Sequence, residues 1–206
     1  MWYPILITVL VGYLLGNLNG AVCISALNHD DVRSHGSGNA GLTNFVRNYG
    51  ASKGVLVILI DGGKAVLACL TGALLLQDFG TYQFGATIGG LAVMLGHDFP
   101  ALLGFRGGKG ILSALFIGIT VDWRIAACGL AVFAILYVIS GYVSLGSICA
   151  ALTYAVCFGL FYHDQLPVMI CGIVMSLLAV FMHRSNISRL LKGEERKTSL
   201  FKKSEK

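Results

Sequence analysis

The chain has 206 residues, of which 56% are hydrophobic and only 12% charged, and its mean hydropathy is +0.77. A soluble domain carries about 25% charged residues, so a soluble globular fold is excluded. A cleaved leader ahead of a soluble domain is excluded too, because apolar segments recur to residue 182. The net charge of +5 is concentrated after residue 182, in Arg184, Arg189, Lys192, Arg196, Lys197, Lys202, Lys203 and Lys206. A basic tail flanking apolar spans reads as a partner for anionic lipid, not for nucleic acid.

Taken in chain order, hydropathy predicts an all-α, polytopic integral membrane helix bundle with seven transmembrane helices. The spans are expected near residues 4–27, 54–76, 84–103, 110–121, 123–140, 143–161 and 166–182. The fourth is short and the fifth follows it almost without a loop. One membrane domain, residues 1–206, is expected, with 193–206 a basic tail too charged to order itself. Thirteen of the fifteen Lys and Arg fall on one side of this topology. The exceptions are Lys64, inside the second span, and Arg124, in a short loop. The positive side is expected to be cytoplasmic, with the N-terminus extracytoplasmic.

Three polar, glycine-rich stretches interrupt the apolar chain, and all lie on that positive side. The first is Gly36-Ser37-Gly38-Asn39-Ala40-Gly41-Leu42-Thr43-Asn44, followed by Arg47. Its GxGxxG spacing lacks the preceding strand of a dinucleotide site. Its glycines still let backbone N–H groups approach an anion. Ser37, Asn39, Thr43 and Asn44 add neutral donors, and Arg47 adds a guanidinium fork suited to phosphate.

Asp61 and Lys64 lie three apart inside the second span, where neither charge is cheap alone, so they are expected to neutralise each other. The second polar stretch starts at the end of the third span with Gly96-His97-Asp98-Phe99-Pro100, which places His97 near the site. It continues as Gly104-Phe105-Arg106-Gly107-Gly108-Lys109-Gly110. Only three residues separate Gly104 from Gly108, and Gly110 stands where a nucleotide-binding loop needs Ser or Thr for magnesium, so an ATP site is excluded. Two cations among glycines at the start of a helix still make an anion cradle. Ser144 and Ser147 can donate where the fifth and sixth spans meet.

The third stretch is His183-Arg184-Ser185-Asn186-Ile187-Ser188-Arg189-Leu190-Leu191-Lys192-Gly193-Glu194-Glu195. Spacing of three puts His183, Asn186 and Arg189 on one helical face. The six cysteines all sit in apolar stretches without a CxxC and read as buried packing residues. No disulfide, metal site or cofactor is expected.

These three motifs, with the D-x-x-K pair at Asp61 and Lys64, resemble those of the bacterial acyl-phosphate:glycerol-3-phosphate acyltransferase family (PlsY), and the likeness covers almost the whole chain. Small departures are Gly16-Asn17-Leu18-Asn19-Gly20 in place of a proline-containing turn, Leu42 for Ala and Ala65 for Gly. The resemblance implies transfer of a fatty acyl group from acyl phosphate to the 1-hydroxyl of sn-glycerol 3-phosphate in the bacterial plasma membrane. The products are lysophosphatidic acid and phosphate. Acyl-CoA and acyl-carrier protein are not used, and a functional link to an enzyme that makes acyl phosphate is implied.

Ser37, Lys109, His183 and Asn186 are then the expected catalytic set. Gly36, Gly38, Asn39, Thr43, Asn44, Arg47, His97, Arg106, Gly107, Gly108, Gly110, Ser144, Ser147 and Arg189 are expected to bind substrate. In that picture Arg106, Lys109 and the Gly107–Gly108 amides hold one phosphate, and no acyl-enzyme forms. The rival reading is a small transporter of phosphate-bearing anions, against which the absence of an inverted repeat counts.

Overall fold

The computed structural model describes residues 2–198, and among these the regular structure is helical throughout. Lys202, Lys203 and Lys206 of the basic tail lie outside the described residues. α1 (Tyr3–Asn17) starts with Pro4 in its first turn, where the missing N–H costs nothing. It stops at Leu18, and α2 (Gly20–Ala26) sets off at 41° with Asn19 as its cap, whose side chain accepts from Val22 N–H at 3.1 Å. A polar loop leads through a short 3₁₀ turn (Val32–Ser34) to the amphipathic α3 (Leu42–Tyr49). α4 (Ala51–Leu75) and α5 (Tyr82–Asp98) follow, then α6 (Ile111–Ser140), α7 (Val143–Phe161), α8 (Leu166–Met182) and α9 (Arg184–Leu191).

Among the described residues four helices are long and apolar enough to cross a membrane, or up to six spans if each bent pair, α1 with α2 and α8 with α9, is one span. α6 hides a further break. Asp122 leaves helical geometry (φ −162°, ψ 107°), at the position where the sequence separates its fourth and fifth spans. Gly118 and Gly129 both abut the ring of Tyr154. In a straight helix those eleven residues would span about 16 Å, too far for one ring, so the chain folds back at Asp122. The carboxylate fixes that turn: it accepts from Arg124 N–H at 3.0 Å and from Tyr162 OH at 3.0 Å.

Packing follows from small residues. α5 lies against α1 and α4 with backbone touching backbone. A methyl on Gly16 would overlap Gly96, and one on Gly85 would overlap the Gly72 carbonyl. Close approach of this kind is how helices associate where lipid removes the hydrophobic drive. Outward-facing Leu59, Leu74, Val138, Ile139 and Leu160 are each well over half exposed, as lipid-facing residues must be. The cysteines divide: Cys69 and Cys157 are buried, whereas Cys23 and Cys128 lie on the outer surface and do not pack inside as expected.

Candidate functional site

The first polar loop is built around one amide. Asn44 Nδ2 donates to the carbonyls of Val32 (3.0 Å), His35 (3.0 Å) and Asn39 (3.1 Å), and its Oδ1 accepts from Ser37 N–H at 3.0 Å. Gly36 takes φ +60° with its α-carbon so close to that amide that any side chain would collide with it. Asn44 is therefore an organiser: its capacity is filled by the loop, and Ser37, Asn39, Thr43 and Arg47 are left facing the cavity. Asn19 ties the loop to the break after α1, donating to the Ala40 carbonyl at 2.9 Å.

Behind the loop lies a buried polar cluster. The Lys64 ammonium meets Asp61 at 2.8 Å, the Gly16 carbonyl at 3.2 Å, the Leu18 carbonyl at 2.5 Å and His97 Nδ1 at 2.8 Å. Asp61 also accepts from Gly20 N–H at 3.0 Å. The expected pair is thus real, and it does more than neutralise itself. It satisfies the carbonyls and the N–H that the α1–α2 break leaves without helical partners. His97 Nδ1 faces both the Lys64 ammonium at 2.8 Å and the Asp61 carboxylate at 3.6 Å, and Gly108 packs against the Nε2 side of the ring.

Lys109 enters from the second loop. Gly110, in left-handed geometry (φ 69°), turns the chain into α6 and aims Lys109 across to α9, where its ammonium donates to Asn186 Oδ1. Burial, with Arg189 and Arg47 near it, pulls the Lys109 pKa down to about 8, against the opposing pull of Glu195. His183 sits between α8 and α9. Its Nδ1–H donates to the Ala179 carbonyl at 2.8 Å, leaving Nε2 as the acceptor of a neutral ring.

The residue that sequence reasoning missed is Glu195. Its carboxylate accepts from Ser144 Oγ (2.9 Å), Asn186 Nδ2 (2.8 Å) and Arg189 Nε (2.7 Å), which hold its pKa below the ordinary value against burial. Residues 193–198, expected to begin a loose tail, lie across the mouth of the site. Thr198 N–H donates to Gly141 O at 2.8 Å and Arg47 reaches Thr198 Oγ1 at 2.5 Å. The signal was present: Glu195 belongs to the third polar stretch, but its spacing from Arg189 fits no helical face.

These groups ring the mouth of a cavity of about 560 Å³. Its polar end holds Gly36, Ser37, Asn39, Thr43, Asn44, Arg47, His97, Lys109, Gly110, Ser144, Ser147, His183, Asn186 and Arg189. Below them an apolar cleft runs between the two halves of α6, α7 and α8, lined by Ile111, Leu115, Leu130, Phe133, Ala151 and Met175. Four expected binding residues do not line this cavity. Arg106 and Gly38 border a separate surface hollow with Asp31 and Arg33. Gly108 donates its N–H to the His97 carbonyl at 3.1 Å and Gly107 packs on the same strand of backbone. Arg106 and Lys109 therefore do not share one anion, and the Gly108 amide is not free to bind it. The two glycines instead let the Lys109 loop lie flat against His97.

A family model described as glycerol-3-phosphate acyltransferase matches residues 6–193. The glycerol-3-phosphate acyltransferase of Thermoanaerobacter pseudethanolicus is 38% identical over 192 residues, covering 93% of this chain and 94% of the relative. That of Aquifex aeolicus is 36% identical over 190 residues, covering 92% and 97%. Two crystal structures of PlsY (YgiH), an integral membrane glycerol 3-phosphate acyltransferase, are similar at 34% identity. The glycerol 3-phosphate form has a TM-score of 0.84, covering 96% of this chain and 99% of that one. The lysophosphatidic acid form has a TM-score of 0.82, covering 95% of each.

Proposed function

We propose that this chain, which belongs to the glycerol-3-phosphate acyltransferase family, moves a fatty acyl group from acyl phosphate to the 1-hydroxyl of glycerol 3-phosphate. The products are lysophosphatidic acid and inorganic phosphate, as an early step of bacterial phospholipid synthesis. The observation that carries the reading is the junction of a cation-lined mouth with an apolar cleft in one cavity. One end suits two phosphate groups and the other suits a fatty chain. Counting the two pieces of α6 separately gives seven spans. The positive-inside rule then puts the mouth on the cytoplasmic side of the plasma membrane, together with the C-terminus.

Acyl phosphate is already activated, so the enzyme's task is to bring two anions together and stabilise developing charge. Lys109, Arg47 and Arg189 offset the repulsion between the two phosphates. Ser37 and Asn39 donate from the opposite wall. His183 Nε2 accepts a hydrogen bond from the acceptor hydroxyl and orients its oxygen toward the acyl carbonyl. The new C–O bond forms to that oxygen while the C–O bond to phosphate breaks. The hydroxyl proton ends on the released phosphate, directly or through His183. The transfer is direct, with no acyl-enzyme.

The test is phosphate release from palmitoyl phosphate by detergent-purified protein. Release that requires glycerol 3-phosphate, yields lysophosphatidic acid and does not occur with palmitoyl-CoA as donor is the expected result. Turnover of the CoA donor at a similar rate overturns the donor assignment.

The lowered pKa of Lys109 sets a pH dependence. The ammonium is charged below about pH 8 and lost above it. Free-enzyme kcat/KM for glycerol 3-phosphate is therefore expected to fall tenfold per pH unit above that value. A bound phosphate favours the charged form, so the limb in kcat lies at higher pH. A pH–rate profile on wild type, with the limb absent in Lys109→Arg, checks the assignment.

A further inference from the structure

We infer that Tyr154 closes the deep end of the apolar cleft and sets the longest acyl chain the enzyme accepts; this rests on the proposed reading that the cleft holds the fatty chain. The cleft has a floor. Residues 119–128, around the turn at Asp122, do not line it, and the last lining positions of α6 are Gly118 and Gly129. The Tyr154 ring is wedged between these two glycines, 9% exposed, with a built methyl on Gly118 only 2.7 Å from its hydroxyl oxygen. One turn deeper on α7, Phe158 is 1% exposed and packs on Gly172 of α8, sealing the space behind.

The dimensions agree with a ruler. Along α7, Tyr154 lies ten residues below Ser144 at the mouth and Phe158 fourteen, or about 15 and 21 Å. One leaflet's share of a ~30 Å hydrocarbon core is about 15 Å, the same scale as the depth of the ring below the mouth. The glycines are what admit the ring: any larger residue at 118 or 129 would expel it. Neither Tyr154 nor its glycines touches the reacting groups, so they select among donors without taking part in the chemistry.

The experiment measures kcat/KM for acyl phosphates from ten to twenty carbons with wild type, Tyr154→Phe, Tyr154→Ala and Gly118→Ala. Tyr154→Ala is expected to raise the ratio of twenty- to sixteen-carbon donors about tenfold, the discrimination that a few methylenes support in an apolar pocket. Gly118→Ala pushes the ring out of its wedge and up into the cleft, and is expected to shift the preference to shorter chains by a similar factor. Tyr154→Phe keeps the wild-type profile. An unchanged length profile in Tyr154→Ala overturns the inference. If that variant does not fold, Gly118→Ala decides, an unchanged profile again counting against it. Failure of the wild type on every acyl phosphate is a different result, and it overturns the proposed donor instead.

Discussion

Replacing Lys109 by alanine is expected to lower kcat/KM by about 10²–10³, the usual loss when one group that stabilises transition-state charge is removed. Three features make Lys109 the most consequential cation. It is the one expected cation of the second loop that reaches the cavity, since Arg106 points into the separate hollow. It is pinned by Asn186, itself held by Glu195. It lies within electrostatic reach of Arg47, Arg189 and His183, so its charge sits among the other basic groups of the cavity mouth. Its ammonium supports neither α4 nor α5, so the variant should insert and purify like the wild type. Initial rates at varied acceptor and donor separate its effect on kcat from that on KM. Turnover close to wild type, in protein with unchanged thermal stability, would remove Lys109 from the reaction. Lys109→Arg should recover only part of the loss, because a planar fork does not reproduce the single contact to Asn186.

Lys64→Ala is expected to cost about 3–5 kcal/mol of stability, the penalty for stripping the partner from a buried charge. The Asp61 carboxylate would keep one backbone N–H, from Gly20, while the Gly16 and Leu18 carbonyls lose their shared donor. Thermal unfolding in detergent should show a clearly lowered midpoint and much reduced yield. The companion measurement is Asp61→Asn combined with Lys64→Met, which removes both charges and keeps the volume. It should recover a large part of the loss, since replacing both members of a buried pair is far milder than orphaning one. A single variant as stable as the wild type would mean that the cluster contributes nothing to holding the bend.

Much of this was legible because lipid punishes misplaced polarity. Asp61 and Lys64 in an apolar run announce a pair, and Asp122 between two apolar segments announces a break, since neither is affordable in an unbroken lipid-facing helix. Ser37, Arg47, Lys109, His183, Asn186 and Arg189 converge as their motifs suggest. What escaped the sequence depends on direction and not on residue type. Asn44 looks like one donor among several, and only the folded loop reveals that its amide is consumed from within. Arg106 stands three residues from Lys109, yet the turn at Gly104 and Phe105, both at positive φ, sends it to the other side of the loop. Glu195 lies past the end of α9, where periodicity carries no information and Gly193, at φ 71°, reverses the chain.

The transporter reading meets an obstacle in the same geometry. At its deep end the cavity is lined by the buried Tyr154 and Phe158, so the polar mouth is not continued by charged groups toward the other face.

The mouth of the cavity joins residues 36–47 to residues 183–195, segments separated by residues 48–182 of the sequence. Synthesis runs at about 5–20 residues per second, so many seconds separate the emergence of the first half from that of the second. A nascent chain halted after α8 carries the residues of the apolar cleft but lacks His183, Asn186, Arg189 and Glu195. The polar mouth is therefore completed only when the segment after α8 has been made and has folded back against residues 36–47.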